Sequence, residues 1–117
     1  MSNRWRHFRL DEFRCPYSNQ NYIDHRFVDV LDVFREELGV ALVVLSGYRS
    51  PEHPLEVGKK KPGWHAKGKA VDLLIPDGVA MRRAVELALR SGIPGIGVNN
   101  NAIHLDIRDT TPVMWGY

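Results

Sequence analysis

Gly68-Lys-Ala-Val-Asp-Leu-Leu-Ile75 is the stretch on which the fold turns. Lys69 to Ile75 is apolar enough for a central strand, and Gly68 lets the backbone turn sharply into it. A central strand is a costly place for a carboxylate, which loses several kcal/mol on burial unless it is paired, hydrogen-bonded or bound to a metal. Asp72 therefore either faces water from an edge strand or has partners. Strand side chains repeat every two residues, so Ala70 and Asp72 share a face, and the small Ala70 leaves room above it. His65 lies at the end of a loop just before this strand, close enough in sequence to fold back over Asp72.

Ala102 to Arg108 alternates strictly. Ile103, Leu105 and Ile107 point one way; His104, Asp106 and Arg108 point the other. One reading is a half-exposed strand with a polar outer face. The other follows if this strand is the neighbour of the first. His104 then reaches Asp72, and with His65 the three form a zinc site that keeps an open position for water. Zinc lowers the pKa of bound water to about 7, and a nearby carboxylate can take its proton. Asp106, on the same face as His104, is the candidate base.

The remaining elements follow outward from these two strands. Residues 1–21 look irregular, with Phe8, Leu10 and Phe13 as anchors. Asn21 and Asp24 open a helix in which Ile23, Phe27, Val30, Leu31, Phe34 and Leu38 recur at helical spacing, and Gly39 stops it. Val40 to Leu45 is short and β-branched, as a buried strand should be. Residues 46–68 form one long loop rich in Gly and Pro, with Lys59-Lys60-Lys61 as a solvated tip, and loops of this length are usually functional or disordered. Asp77 caps a helix over Val79 to Arg90 that Gly92 ends. Ile96 to Val98 is a short strand, and Asn99-Asn100-Asn101 is a turn, Asn being tolerant of left-handed backbone. The order predicts a single α+β domain over residues 1–117. Its sheet is small and mainly antiparallel, with packed helices and a long functional loop.

Composition sets outer limits. The chain has 117 residues, 44% of them apolar and 26% charged, which excludes collagen, coiled coil and wholesale disorder. A formal net charge of +2 gives no reason to expect nucleic-acid binding. The single cysteine, Cys15, excludes an internal disulfide and reads as structural. No apolar run approaches a membrane span. The stretch from Met1 to His7 is polar and basic and does not read as a secretory signal.

Three segments together carry a resemblance: Ser46-Gly-Tyr-Arg-Ser-Pro-Glu-His53, His65-Ala-Lys-Gly-Lys-Ala-Val-Asp72 and His104-Leu-Asp106. In order and spacing they resemble the zinc D-alanyl-D-alanine carboxypeptidase and L-alanyl-D-glutamate endopeptidase family, which shares its fold with the hedgehog signalling domain. Weaker similarity runs upstream through Phe8 to Phe13 and downstream to Trp115. The resemblance implies Zn2+ held by His65, Asp72 and His104. It implies that Arg49 binds substrate and steadies the oxyanion, with fixed charge and forked donors suited to the task. Asp106 would be the base, or would instead orient a ligand. Gly63, where relatives carry Ser, and Pro54, where they carry Asn, depart from the pattern without touching the ligands.

The implied function is a metallopeptidase that hydrolyses a peptide bond in the stem peptides of bacterial peptidoglycan. The expected setting is synthesis in the cytoplasm and use as a phage lysis or virion enzyme, acting as a monomer. A non-catalytic zinc-binding or virion module of the same fold is the alternative, and an amidase on another substrate is a third reading. Tyr48, His53 and Trp64 either line the cleft or, as is commoner for such residues, scaffold the loop, and Trp115 and Tyr117 are expected to pin the C-terminus to the body. His7 and His25 have no partner motif.

Overall fold

The computed structural model describes residues 4–117; Met1, Ser2 and Asn3, the start of the polar N-terminal stretch, lie outside the described residues. The first helix, α1 (His25–Leu38), begins where the Asp24 carboxylate accepts the Arg26 N–H at 2.8 Å, and ends at Gly39, whose φ of 73° is left-handed. Phe27, Val28, Leu31, Phe34 and Leu38 are buried along it. Val28 takes the place expected of Val30, which lies on a flank open to solvent beside Val33. The second helix, α2 (Gly78–Arg90), is capped by Asp77, which accepts the Ala80 N–H at 2.8 Å. Gly92, at φ 74°, turns the chain away from it. Arg83 on α2 donates to the Leu38 carbonyl at 2.9 Å and ties the helices together.

The sheet has five strands: β1 (Val43–Ser46), β2 (Ala70–Leu74), β3 (Gly95–Val98), β4 (Ala102–Asp106) and β5 (Val113–Gly116). Their order is β1-β2-β4-β3-β5. Every pairing is antiparallel except β3 with β5. This is the small, mainly antiparallel α+β architecture that the sequence predicts, with three differences. β1 starts at Val43, after Val40 and Leu42 have packed into the core, and it is an edge strand with Val43 and Leu45 exposed rather than the buried strand expected. β4 stops at Asp106, short of Arg108. β5 is an added strand that the sequence gives little sign of.

One face of the sheet is apolar. Val71, Leu73, Ile96, Ile103 and Leu105 point from it into a cluster shared with both helices and with Trp5, Phe8 and Phe13. Burying each large side chain of this kind contributes about 1.5–3 kcal/mol relative to leaving it exposed. A strap of residues 4–7 crosses α1: Arg4 and the Trp5 indole bond Asp29, the backbone N–H groups of Arg6 and His7 bond Asp32, and the His7 ring meets Glu36. His25 packs edge-on against Trp5.

The long loop is less open than the sequence suggests. Lys60 and Lys61 are exposed, but Tyr48, Ser50, His53, Glu56 and His65 are all buried. The Asn turn works through a side chain rather than left-handed backbone: Asn99 Oδ1 accepts the N–H groups of Asn101 and Ala102. No described helix is long and apolar enough to cross a membrane.

Candidate metal centre

Strand register brings the polar residues into one row. Ser46 pairs with Asp72, Asp72 with His104, His104 with Gly97, and Gly97 with Trp115. The row thus crosses all five strands on the face turned away from the helices. β2 lies between β1 and β4, so Asp72 is not on an edge strand, and the strand carrying His104 is its neighbour. His65 comes to the row from the loop. Gly68, at φ 73°, makes the turn into β2, and its carbonyl accepts the Asp24 N–H at 2.8 Å. The backbone N–H of Arg49 donates to the His65 carbonyl at 3.2 Å, so the two ends of the loop hold each other.

The hydrogen bonds behind the two imidazoles set which nitrogens face the row. His65 Nδ1 lies 2.8 Å from the Gly47 carbonyl oxygen, which can only accept. His104 Nε2 lies 2.7 Å from Asp106 Oδ2, which also only accepts. Each neutral ring therefore carries its proton on that side and turns a lone pair to Asp72. His65 Nε2 is 3.4 Å from Asp72 Oδ2, and His104 Nδ1 is 3.1 Å from Asp72 Oδ1. One ligand atom from each residue lies within 4.8 Å of the others.

Two lone pairs and an anionic oxygen facing one another call for a cation between them. Ligand atoms around a tetrahedral zinc ion stand about 3.3–3.5 Å apart, so the donor set fits such an ion. When the two rings are instead protonated on the Asp72 side, they donate to its carboxylate. Burial would raise the Asp72 carboxyl, but bonds and charge from His104 and His65 outweigh it and hold it well below the usual range. Burial works against a charged His104 ring, yet Asp106 and Asp72 together raise its pKa above the ordinary histidine value.

Asp106, the expected general base, is buried behind His104 with its carboxylate fully engaged. Its Oδ1 accepts from the Arg108 backbone N–H at 3.1 Å and Nε at 2.8 Å. Its Oδ2 accepts from His104 Nε2 at 2.7 Å and Arg108 Nη2 at 2.7 Å. All four acceptor positions are filled, on a residue that is 0% exposed and stands behind His104. Burial alone would raise the Asp106 carboxyl; the bonds from Arg108 and His104 hold it well below the ordinary range. Gly95, opposite Asp106 on β3, leaves the space that this carboxylate occupies. Arg108 in turn lies over the Trp64 ring, 5.7 Å from its centroid, and the Trp115 ring, at 5.2 Å.

The row opens into a cavity of about 390 Å³ lined by Arg49, Leu55, His65, Asp72, His104, Trp115 and Tyr117. Arg49 donates through Nε to Ser46 Oγ at 3.0 Å and through Nη2 to Asp72 Oδ2 at 3.1 Å. Its Nη1 stands 4.0 Å from Glu56, and a second cavity of about 300 Å³ opens on that side, lined in part by Tyr48 and Lys59. Trp115 and Tyr117 do more than pin the chain: the Trp115 ring lies 4.9 Å from the His104 ring and forms a wall of the cavity. Burial, then the Asp72 carboxylate, pushes the Tyr117 phenol up to about 12, against the opposing charge of Arg49.

Apart from Tyr48, which lines the second cavity, the other singled-out residues make packing and loop contacts. His53 Nδ1 accepts the Leu55 N–H, Trp64 lies under Lys67 and Arg108, and Cys15 Sγ meets Ser50 Oγ in the interior. The parts the sequence hides are Gly95, Gly97, the Arg108 clamp and the cavity wall on β5.

Comparison with known families bears on all of this. No curated protein matches the chain. The profile of the Peptidase M15 family, whose members are metallopeptidases, matches residues 6–106, a span that contains Arg49, His65, Asp72, His104 and Asp106 and stops short of β5. With most of its length matched and a His-Asp-His cluster assembled inside the match, the chain belongs to the Peptidase M15 family.

Proposed function

We propose that this chain is a zinc metallopeptidase that hydrolyses a peptide bond in the stem peptides of bacterial peptidoglycan, in a phage lysis or virion setting. The observation that carries the proposal is the convergence of His65 Nε2, Asp72 and His104 Nδ1 at the floor of an open cavity. Zinc held there would supply Lewis-acid activation of the scissile carbonyl and of water. The rest of the chemistry belongs to the chain. In this scheme the Gly47 carbonyl and Asp106 hold His65 and His104 in the metal-binding tautomer, a role supported by their contacts at 2.8 and 2.7 Å. Asp106 is a positioning residue for His104 in this scheme, not the base, because none of its lone pairs faces the cavity. Arg49 shares Asp72 with the ligand cluster and keeps further N–H donors for the substrate carbonyl, whose oxygen gains charge as water attacks.

The test is metal analysis of the purified protein together with digestion of muropeptides. Stoichiometric zinc, cleavage of a stem-peptide bond and loss of both in His65→Ala are the expected results. A protein that binds no zinc and digests walls equally well with and without His65 refutes the proposal. A second reading, a non-catalytic zinc-binding module, draws on one observation: among the described residues lining the cavity, the one carboxylate is Asp72, itself a proposed ligand. That module would bind muropeptides and zinc and release no product.

A further inference from the structure

The β5 segment lies beyond the residues matched by the family profile, yet it builds one side of the candidate site. Its position is fixed by backbone. Parallel pairing sets Trp115 opposite Gly97 and Gly116 opposite Val98, and the Tyr117 N–H donates to the Val98 carbonyl at 3.0 Å. Alternation along the strand then turns Trp115 and Tyr117 to the same face as His104. Trp115 fits against His104 only because position 97 has no side chain: a Cβ there would come within 2.9 Å of the indole. Tyr117 is half exposed and lines the same cavity as Arg49 and the ligand trio.

Two donors of different kinds therefore line the cavity that holds Asp72: the Arg49 guanidinium, bonded to it, and the Tyr117 phenol. Among the described residues lining this cavity, Tyr117 carries the one hydroxyl. A ground-state carbonyl is a weak acceptor, whereas the oxyanion of a tetrahedral intermediate rewards each donor aimed at it. We propose that Tyr117 is a catalytic residue that donates its hydroxyl hydrogen bond to the substrate carbonyl oxygen as that oxygen becomes an oxyanion, acting together with Arg49. No bond of the phenol is made or broken. Water adds to the carbonyl carbon, the C–N bond breaks, the amine leaves with a proton that comes from the water, and the phenol supplies a hydrogen bond throughout. This inference rests on the peptidase reading above.

The experiment compares the parent protein with Tyr117→Phe and Tyr117→Ala, all loaded with zinc. It measures kcat and KM on a muropeptide, the affinity for a phosphinate dipeptide whose tetrahedral P–O⁻ mimics the oxyanion, and zinc affinity by chelator competition. Both variants should lose about 100-fold in kcat with KM little changed. They should lose phosphinate affinity by a similar factor and keep the parent's zinc affinity. Agreement between Phe and Ala shows that the hydroxyl matters and not the ring. If kcat and phosphinate affinity stay within twofold of the parent, the inference is overturned. It is also overturned if zinc affinity falls while phosphinate binding to the loaded protein does not, because Tyr117 then acts only through Asp72. A parent that neither cleaves muropeptides nor binds the phosphinate overturns the peptidase reading itself, a result distinct from either of these.

Discussion

Replacing Gly95 by alanine tests what holds Asp106 in place. Gly95 has no left-handed backbone to protect, and glycine in a strand interior is worth about 0.5–1 kcal/mol less than alanine. By that argument alone the substitution should stabilise the protein. The structure predicts the opposite sign, because the added Cβ would fall inside all three atoms of the Asp106 carboxyl group. That group cannot swing aside cheaply: it is fully buried and holds His104 and both faces of the Arg108 clamp. Disrupting a buried ion pair costs about 3–5 kcal/mol, so the net loss is about 2–4 kcal/mol after the strand gain. For a domain of this size the thermal midpoint should fall by about 10 °C. Calorimetry on Gly95→Ala, Asp106→Ala and the double variant measures this directly. In the Asp106→Ala background the added methyl has no carboxylate to strike, so only the strand gain remains and the methyl should stabilise by about 0.5–1 kcal/mol. A single Gly95→Ala variant as stable as the parent would refute the argument that this space belongs to the carboxylate.

Further outcomes follow from the same contacts. Asp106→Asn should weaken zinc binding by about 10–100-fold, yet turnover should return at saturating zinc, because a positioning residue is bypassed once the ion is in place; turnover that stays low under saturation restores the base assignment. Zinc at about 1,000 times its dissociation constant should stabilise the fold by about 4 kcal/mol, seen as a raised thermal midpoint that His65→Ala abolishes; a midpoint indifferent to zinc sinks the metal site. Gly97→Ala should cost about 1–3 kcal/mol and shift tryptophan emission as the Trp115 ring is driven from His104; unchanged emission and stability would place that ring elsewhere. Asp29 and Glu36 titrate below their ordinary values, through the bonds from Trp5 and Arg4 and from His7 respectively. Their folded pKa values are depressed, so the strap they hold is present at neutral pH and released as pH falls below about 4. The Trp5 indole N–H resonance should report this release, and a resonance unmoved by acid would argue against it.

Much of this molecule is legible in the sequence where local chemistry decides. Asp24 and Gly39, and Asp77 and Gly92, bracket helices because caps and left-handed stops act within a few residues of themselves. Strand parity puts Asp72 and His104 on polar faces before any neighbour is known, and a loop histidine with a flexible glycine beside it completes the cluster. What stays hidden depends on the partner across a strand. The role of Asp106 changes from exposed carboxylate to clamped one only when Arg108 curls back and Gly95 stands opposite. Val113 to Gly116 shows no alternation of apolar and polar residues, since it is an exposed edge whose place is set by β3. The long loop looks loose because its anchors are polar: Ser50 and His53 meet Cys15 and Tyr17 from far along the chain, and Glu56 is buried among Arg49 and Lys59 of the loop itself.

The row that crosses all five strands makes the candidate site a gauge of its own assembly. A slip of one residue in any pairing would carry that strand's member of the row to the helix side and bring an apolar neighbour out in its stead. A mispaired sheet could still be compact and could still bury most of its leucines, but it would have no floor for a metal. Capture of an ion would therefore act as a proofreading step, drawing the population toward the one pairing in which β2 and β4 present Asp72 and His104 side by side.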